Sequence, residues 1–165
     1  MLTHIFAEKD SLFNVVLAEM RDIEIQKDPM RFRFNLNRLG FMFAYEIGKT
    51  LCYREKEVQT PLGISNCMVL EDEIVLATVL RAGLPLHDGM LQVFDRAQNA
   101  FIAAYRKYGR DYKFTIQLEY MASPSLEGKV LILSDPMLAT GSTIFLTYQE
   151  MVQKKGAPKH CHIVS

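Results

Sequence analysis

Apolar spacing along the chain changes from a helical to a strand period. Leu12, Val15, Val16 and Met20 fall three or four apart and predict a helix from Ser11 to about Glu24, capped by Asp10 or Ser11. Asp28-Pro29 interrupts it. Phe32, Leu36, Leu39, Phe43 and Ile47 then predict a second amphipathic helix ending near Leu51. Thr60-Pro-Leu-Gly63 reads as a turn between a short strand and a partner at Asn66 to Leu70. Ile74 to Leu80 is continuous and β-branched, as a buried parallel strand must be. A helix is expected from His87 to about Ala97, in which Met90, Val93 and Phe94 are core, and the next buried strand spans Ala100–Tyr105. From Tyr112 to Met121 the pattern alternates, with Tyr112, Phe114, Ile116 and Leu118 on one face, which predicts a solvent-facing antiparallel ribbon. Lys129–Ser134 is the next strand, Ser142–Lys155 a helix with Gly156 at its end, and Cys161–Val164 a last strand. Strand, helix, strand, ribbon, strand, helix, strand is the order of an open, mainly parallel α/β sheet with flanking helices.

Composition narrows the class. The 165 residues fit one domain spanning 1–165, with 49% apolar residues. Nineteen basic and nineteen acidic residues cancel, which gives no electrostatic case for nucleic acid or a membrane surface. No apolar run approaches a membrane span, and the first ten residues lack the basic and apolar regions of a secretory signal. Three widely spaced cysteines, Cys52, Cys67 and Cys161, make neither a disulfide frame nor a metal motif, so a reduced, cytoplasmic protein is expected. His160 and His162 share one strand face and read as edge histidines rather than a metal pair. His87 is a general acid only by residue type.

The chemistry concentrates at Val130-Leu-Ile-Leu-Ser-Asp-Pro-Met-Leu-Ala-Thr-Gly-Ser-Thr-Ile144. An apolar strand ends on Asp135-Pro136. A turn of small residues follows and opens directly into a helix. Backbone N–H groups at such a turn, with the partial positive charge of the helix start, form a phosphate cradle. Gly141 permits the necessary dihedrals, and Thr140, Ser142 and Thr143 add hydroxyls. No Gly-Lys-Ser/Thr follows, so this is not a nucleoside-triphosphate P-loop, and the dinucleotide Gly-x-Gly-x-x-Gly spacing is absent. Asp135 repels phosphate but suits sugar hydroxyls or a cation. Arg81, just past the strand Ile74–Leu80 and followed by Ala82-Gly83, can grip an anion bidentately. Taken alone, a loop arginine is more often a solvated charge.

Asp135-Pro-Met-Leu-Ala-Thr-Gly141, with Leu80-Arg-Ala-Gly-Leu84 and Asp88-Gly89 upstream, resembles the uracil phosphoribosyltransferases, members of the type I phosphoribosyltransferase fold. Arg31-Phe-Arg-Phe, Leu39-Gly40 and Tyr45-Glu46 echo the family's N-terminal helices, whose job would be packing and subunit contact. The resemblance runs from about Arg21 to Val164. It implies transfer of the phosphoribosyl group of phosphoribosyl diphosphate (PRPP) to uracil, giving UMP and pyrophosphate, with magnesium carried by PRPP and no protein metal site. It implies Arg81 and Asp135 as catalytic residues, Arg81 and Arg106 on the diphosphate, and Asp135, Pro136, Met137, Leu138, Ala139, Thr140, Gly141, Ser142 and Thr143 around the ribose and 5′-phosphate. It also implies a homodimer or higher assembly and an antiparallel hood over the site. Three departures stand out. Ser142 replaces the family's second glycine, and Lys107-Tyr-Gly-Arg-Asp replaces an acidic segment. The glycine- and proline-rich segment that reads uracil has no match in 1–165, and the chain stops inside an expected strand, as a truncated protein would. Another base as substrate, a nucleotide-sensing regulator without turnover, and a scaffold that binds nothing remain as alternatives. The convergence of Arg81, Asp135 and Thr140-Gly141 weighs against the scaffold.

Overall fold

A computed structural model describes residues 2–108 and 114–165. Its elements are α1 (Leu12–Arg21), α2 (Pro29–Gly48), β1 (Tyr53–Thr60), β2 (Gly63–Leu70), β3 (Ile74–Leu80), α3 (Leu84–Leu91), β4 (Gln98–Tyr108), β5 (Phe114–Ala122), β6 (Val130–Ser134), α4 (Ser142–Lys155) and β7 (His160–Val164), with two short 3₁₀ turns before α1 and α2. The main sheet has the order β5-β4-β3-β6-β7. β4, β3, β6 and β7 are parallel, and only the edge strand β5 is antiparallel.

Alternation along the central strands divides the core into two layers. Ile74, Leu76, Val130, Ile132 and Val164 face α1, α2 and α3, where Val16, Leu39, Ala44, Leu86 and Met90 meet them. Val75, Ala77, Val79, Leu131 and Leu133 face the other way, against Ile144 and Met151 of α4. β3 and β6 are therefore apolar at nearly every position, as strands covered on both faces must be. On one face α2 and α3 cross closely: a Cβ at Gly40 would strike the Leu86 carbonyl, and one at Gly89 the Asn37 carbonyl. Glu19 ties α1 to α2 by taking two hydrogen bonds from Arg31, at 2.9 and 2.8 Å, and one from Asn35 at 2.8 Å.

The structure moves several expected boundaries. Asp28 does not merely interrupt: it caps α2 by accepting from the Met30 and Arg31 amides, with Pro29 in the first turn. α3 begins at Leu84 rather than His87, because Pro85 fits a helix start, and it ends at Leu91 rather than Ala97. Turns at Val93 and Phe94 then fold back on the Met90 carbonyl. Met90 and Phe94 are core, as expected. β1 and β2 are longer than predicted and pair over eight residues from Tyr53↔Leu70 to Thr60↔Gly63. This hairpin is mostly exposed, so no period of two was imposed on it. The ribbon is not a separate unit: β5 joins the main sheet beside β4, while Tyr112 lies outside the described residues. Among the described residues no helix is long and apolar enough to cross a membrane.

Candidate active site

β3 and β6 end just before Arg81 and Asp135, whereas Arg106 lies within β4, which runs to Tyr108 and so past the expected end at Tyr105. Leu80 pairs with Ala103, which puts Arg81 one residue past the pairing and Arg106 three residues further along β4. Thr78 pairs with Ser134, so Asp135 leaves β6 at the height of Val79. Arg81, Arg106 and Asp135 therefore share the carboxyl edge of the sheet, where open α/β folds bind ligands. The floor is a buried polar pair: Thr78 Oγ1 donates to the Ser134 carbonyl at 3.3 Å, and Ser134 Oγ donates to the Ala77 carbonyl at 3.2 Å. Gly83 folds tightly over it. A Cβ there would collide with Thr78 Oγ1 and the Val79 carbonyl, so this loop admits only glycine. The Leu80–Arg81 peptide is cis.

The turn after β6 is built for exposed donors. The Asp135 amide is fixed by the Val164 carbonyl at 3.0 Å, and its carboxylate accepts from the Met137 amide at 3.2 Å. Ala139 (φ 44°) and Gly141 (φ 74°) both take left-handed backbone. Such a conformation is uncommon for alanine, and strained turns cluster at ligand sites. Gly141 occupies the N-cap of α4 and supplies no side-chain cap. The amides of Thr143 and Ile144 have no acceptor among the described residues, which leaves the start of α4 open to an anion. Thr140 Oγ1 and Ser142 Oγ lie 2.9 Å apart beside it. Ser142 thus adds a hydroxyl where a second glycine would add none.

Half-buried Asp135 has its pKa raised, chiefly by desolvation and opposed by the Met137 hydrogen bond. Its carboxylate is accordingly a better proton acceptor than an ordinary aspartate. His87 is fully buried, and its Nε2 lies 2.7 Å from Asn99 Oδ1. Burial lowers its pKa, which suits a neutral core histidine and not a general acid facing the ligand edge. His160 and His162 stack edge-to-face with centroids 4.6 Å apart on β7.

A cleft of about 630 Å³ opens beside these loops, lined by Leu80, Arg81, Ala82, Ala103, Ala104 and Glu119. Glu119 was not foreseen. β4 and β5 slip register between Ala103↔Tyr120 and Ala104↔Leu118, which makes Glu119 the extra residue of a β-bulge. The sequence alternation runs on through Tyr120 as if no residue had been inserted, so the pattern carries no trace of the bulge.

A family model described as uracil phosphoribosyltransferase matches residues 7–165. A uracil phosphoribosyltransferase of Porphyromonas gingivalis is 52% identical over 98% of this chain and 74% of its own length. The chain belongs to the uracil phosphoribosyltransferase family. A solved structure, the AQ2163 protein of Aquifex aeolicus, superposes with a TM-score of 0.81 at 27% identity, covering 99% of this chain and 85% of that one. A hypoxanthine phosphoribosyltransferase of Staphylococcus aureus, at 15% identity and a TM-score of 0.53 over 78% of this chain and 60% of its own, shares the fold alone.

Among the described residues no group of three or more His, Cys, Asp or Glu side chains is arranged to hold a metal. The carboxylates at this sheet edge, Asp135 and Glu119, are nevertheless hard oxygen donors of the kind magnesium takes. Magnesium usually keeps several waters and is held by one or two carboxylates together with substrate phosphates. The residues present fit an ion that arrives on a diphosphate.

Proposed function

We propose that this member of the uracil phosphoribosyltransferase family transfers the phosphoribosyl group of PRPP to uracil, giving UMP and pyrophosphate. The observation that carries the reading is the convergence of Arg81, Arg106, Asp135 and the open start of α4 on one sheet edge. The turn from 136 to the start of α4 holds the 5′-phosphate through the Thr143 and Ile144 amides and the Thr140 and Ser142 hydroxyls. That remote anchor positions the reacting carbon, which is where its binding energy is most useful. Asp135 accepts hydrogen bonds from the ribose hydroxyls. As the diphosphate departs, the C1 carbon gains positive character, which the same carboxylate stabilises. Arg81 and Arg106 meet the charge growing on the diphosphate. Magnesium, when bound with PRPP, neutralises part of that charge. No covalent nucleophile is required.

The protein acts in the cytoplasm as a homodimer or higher assembly, taking small molecules rather than nucleic acid. No residue of 1–165 is assigned to the uracil ring. The test is UMP formation from labelled uracil, PRPP and magnesium, run beside adenine, hypoxanthine and orotate. UMP as the product of choice supports the reading. Turnover with another base alone, or PRPP binding with no turnover of any base, overturns it in favour of a different transferase or a sensor.

A further inference from the structure

The cleft beside Arg81 contains one carboxylate that the reaction as described leaves idle. Glu119 is exposed and lines the cleft together with Arg81, over a floor of Ala103 and Ala104. The bulge is what brings it there: the insertion between the pairs Ala104↔Leu118 and Ala103↔Tyr120 redirects a side chain at the strand edge. The two alanines carry no charge and little bulk. Of the side chains that line the cleft, Arg81 is a cation and Glu119 an anion.

A carboxylate is an odd neighbour for a diphosphate. It repels a free one. The sign reverses when a divalent cation sits on the diphosphate, because the carboxylate then faces the metal or its waters. Arg81 can take the opposite side of the same group bidentately. We propose that Glu119 makes this cleft selective for a magnesium-complexed diphosphate over a metal-free one. The inference rests on the reading of the cleft as the diphosphate site. It assigns Glu119 a role in substrate selection, not in the chemical step.

The experiment is calorimetric titration with inorganic pyrophosphate, once as the preformed magnesium complex and once with a chelator present. The proteins are the unaltered chain, Glu119→Gln and Arg81→Ala, with circular dichroism to confirm the fold. The unaltered chain should bind the magnesium complex at least about tenfold more tightly than free pyrophosphate, a difference on the scale of one charge pair. In Glu119→Gln, free pyrophosphate should bind more tightly and the magnesium complex more weakly, so that most of the preference disappears. An unchanged preference in Glu119→Gln, or no gain for free pyrophosphate, overturns the inference about Glu119. Arg81→Ala separates the two failures. If it binds both forms as well as the unaltered chain, or if no protein binds pyrophosphate at all, the diphosphate reading of the cleft itself is wrong.

Discussion

The two ends of the sheet carry cavities of similar size and opposite character. At the amino end, a cavity of about 750 Å³ lies between the root of the β1–β2 hairpin and the loop before β4. Its wall mixes Arg54, Lys56 and Arg96 with Glu71, Asp72, Glu73 and Asp95. Asp72, the best-shielded of these, is already engaged: it accepts from Lys159 Nζ at 2.7 Å and from the Cys52 amide at 2.7 Å. Its side chain is only 6% exposed, and the Lys159 ammonium holds its carboxyl below the usual aspartate range. At the carboxyl end the cleft is smaller, about 630 Å³, yet its polar groups are unspent. The Thr143 and Ile144 amides lack acceptors among the described residues, and Arg81 and Glu119 both line the cleft. Volume alone favours the amino end. Open donors and charges, arranged at the ends of parallel strands, favour the carboxyl end.

Substitutions at each end should break this contrast in different ways. The largest effect is expected at Asp135. Asp135→Asn should lower kcat/KM by at least about tenfold with little change in Tm, since it removes charge but not shape. The same residue sets a pH dependence. Its raised pKa means the active carboxylate is lost as pH falls through a value above the ordinary aspartate range, so the acid limb of kcat/KM should lie correspondingly high and be absent in Asp135→Asn. Next comes Arg81→Ala, which should raise the KM for PRPP several-fold more than that for uracil; equal effects on both would remove Arg81 from the diphosphate. The smallest catalytic effect is expected at the amino end. Asp72→Ala should leave kcat/KM within about twofold while lowering stability by about 1–2 kcal/mol, the usual cost of stranding hydrogen-bond partners. Because the folded pKa of Asp72 is depressed, its stabilisation is present above the unfolded pKa of about 3.9 and is lost as pH falls through the folded value. The Tm gap between the two proteins should therefore close in acid.

Much of this arrangement was legible in the residues. β3 and α4 fall at the predicted positions because a continuous apolar run and a Gly-bounded amphipathic run each admit one structure. The turn between β6 and α4 was legible for the same reason: an acid at a strand end, small residues and a helix start mark a tight strand-to-helix connection. What escaped was set by tertiary contact. The length of β1 and β2 was hidden because an exposed hairpin has no buried face to write a period. The start of α3 was hidden because Leu84 and Pro85 read as a break until the Gly83 turn places them in a first turn. Glu119 was invisible because a one-residue register slip between β4 and β5 is a property of the pair, not of either strand.

The most direct test of the account is hydrogen exchange across the whole chain with and without PRPP and magnesium. Slowed exchange is expected at the Thr143 and Ile144 amides and through the loop at 81–84, with residues 69–73 and 93–98 unchanged. Protection confined to 69–73 and 93–98, with none at the start of α4, would contradict it and move the ligand to the opposite end of the sheet.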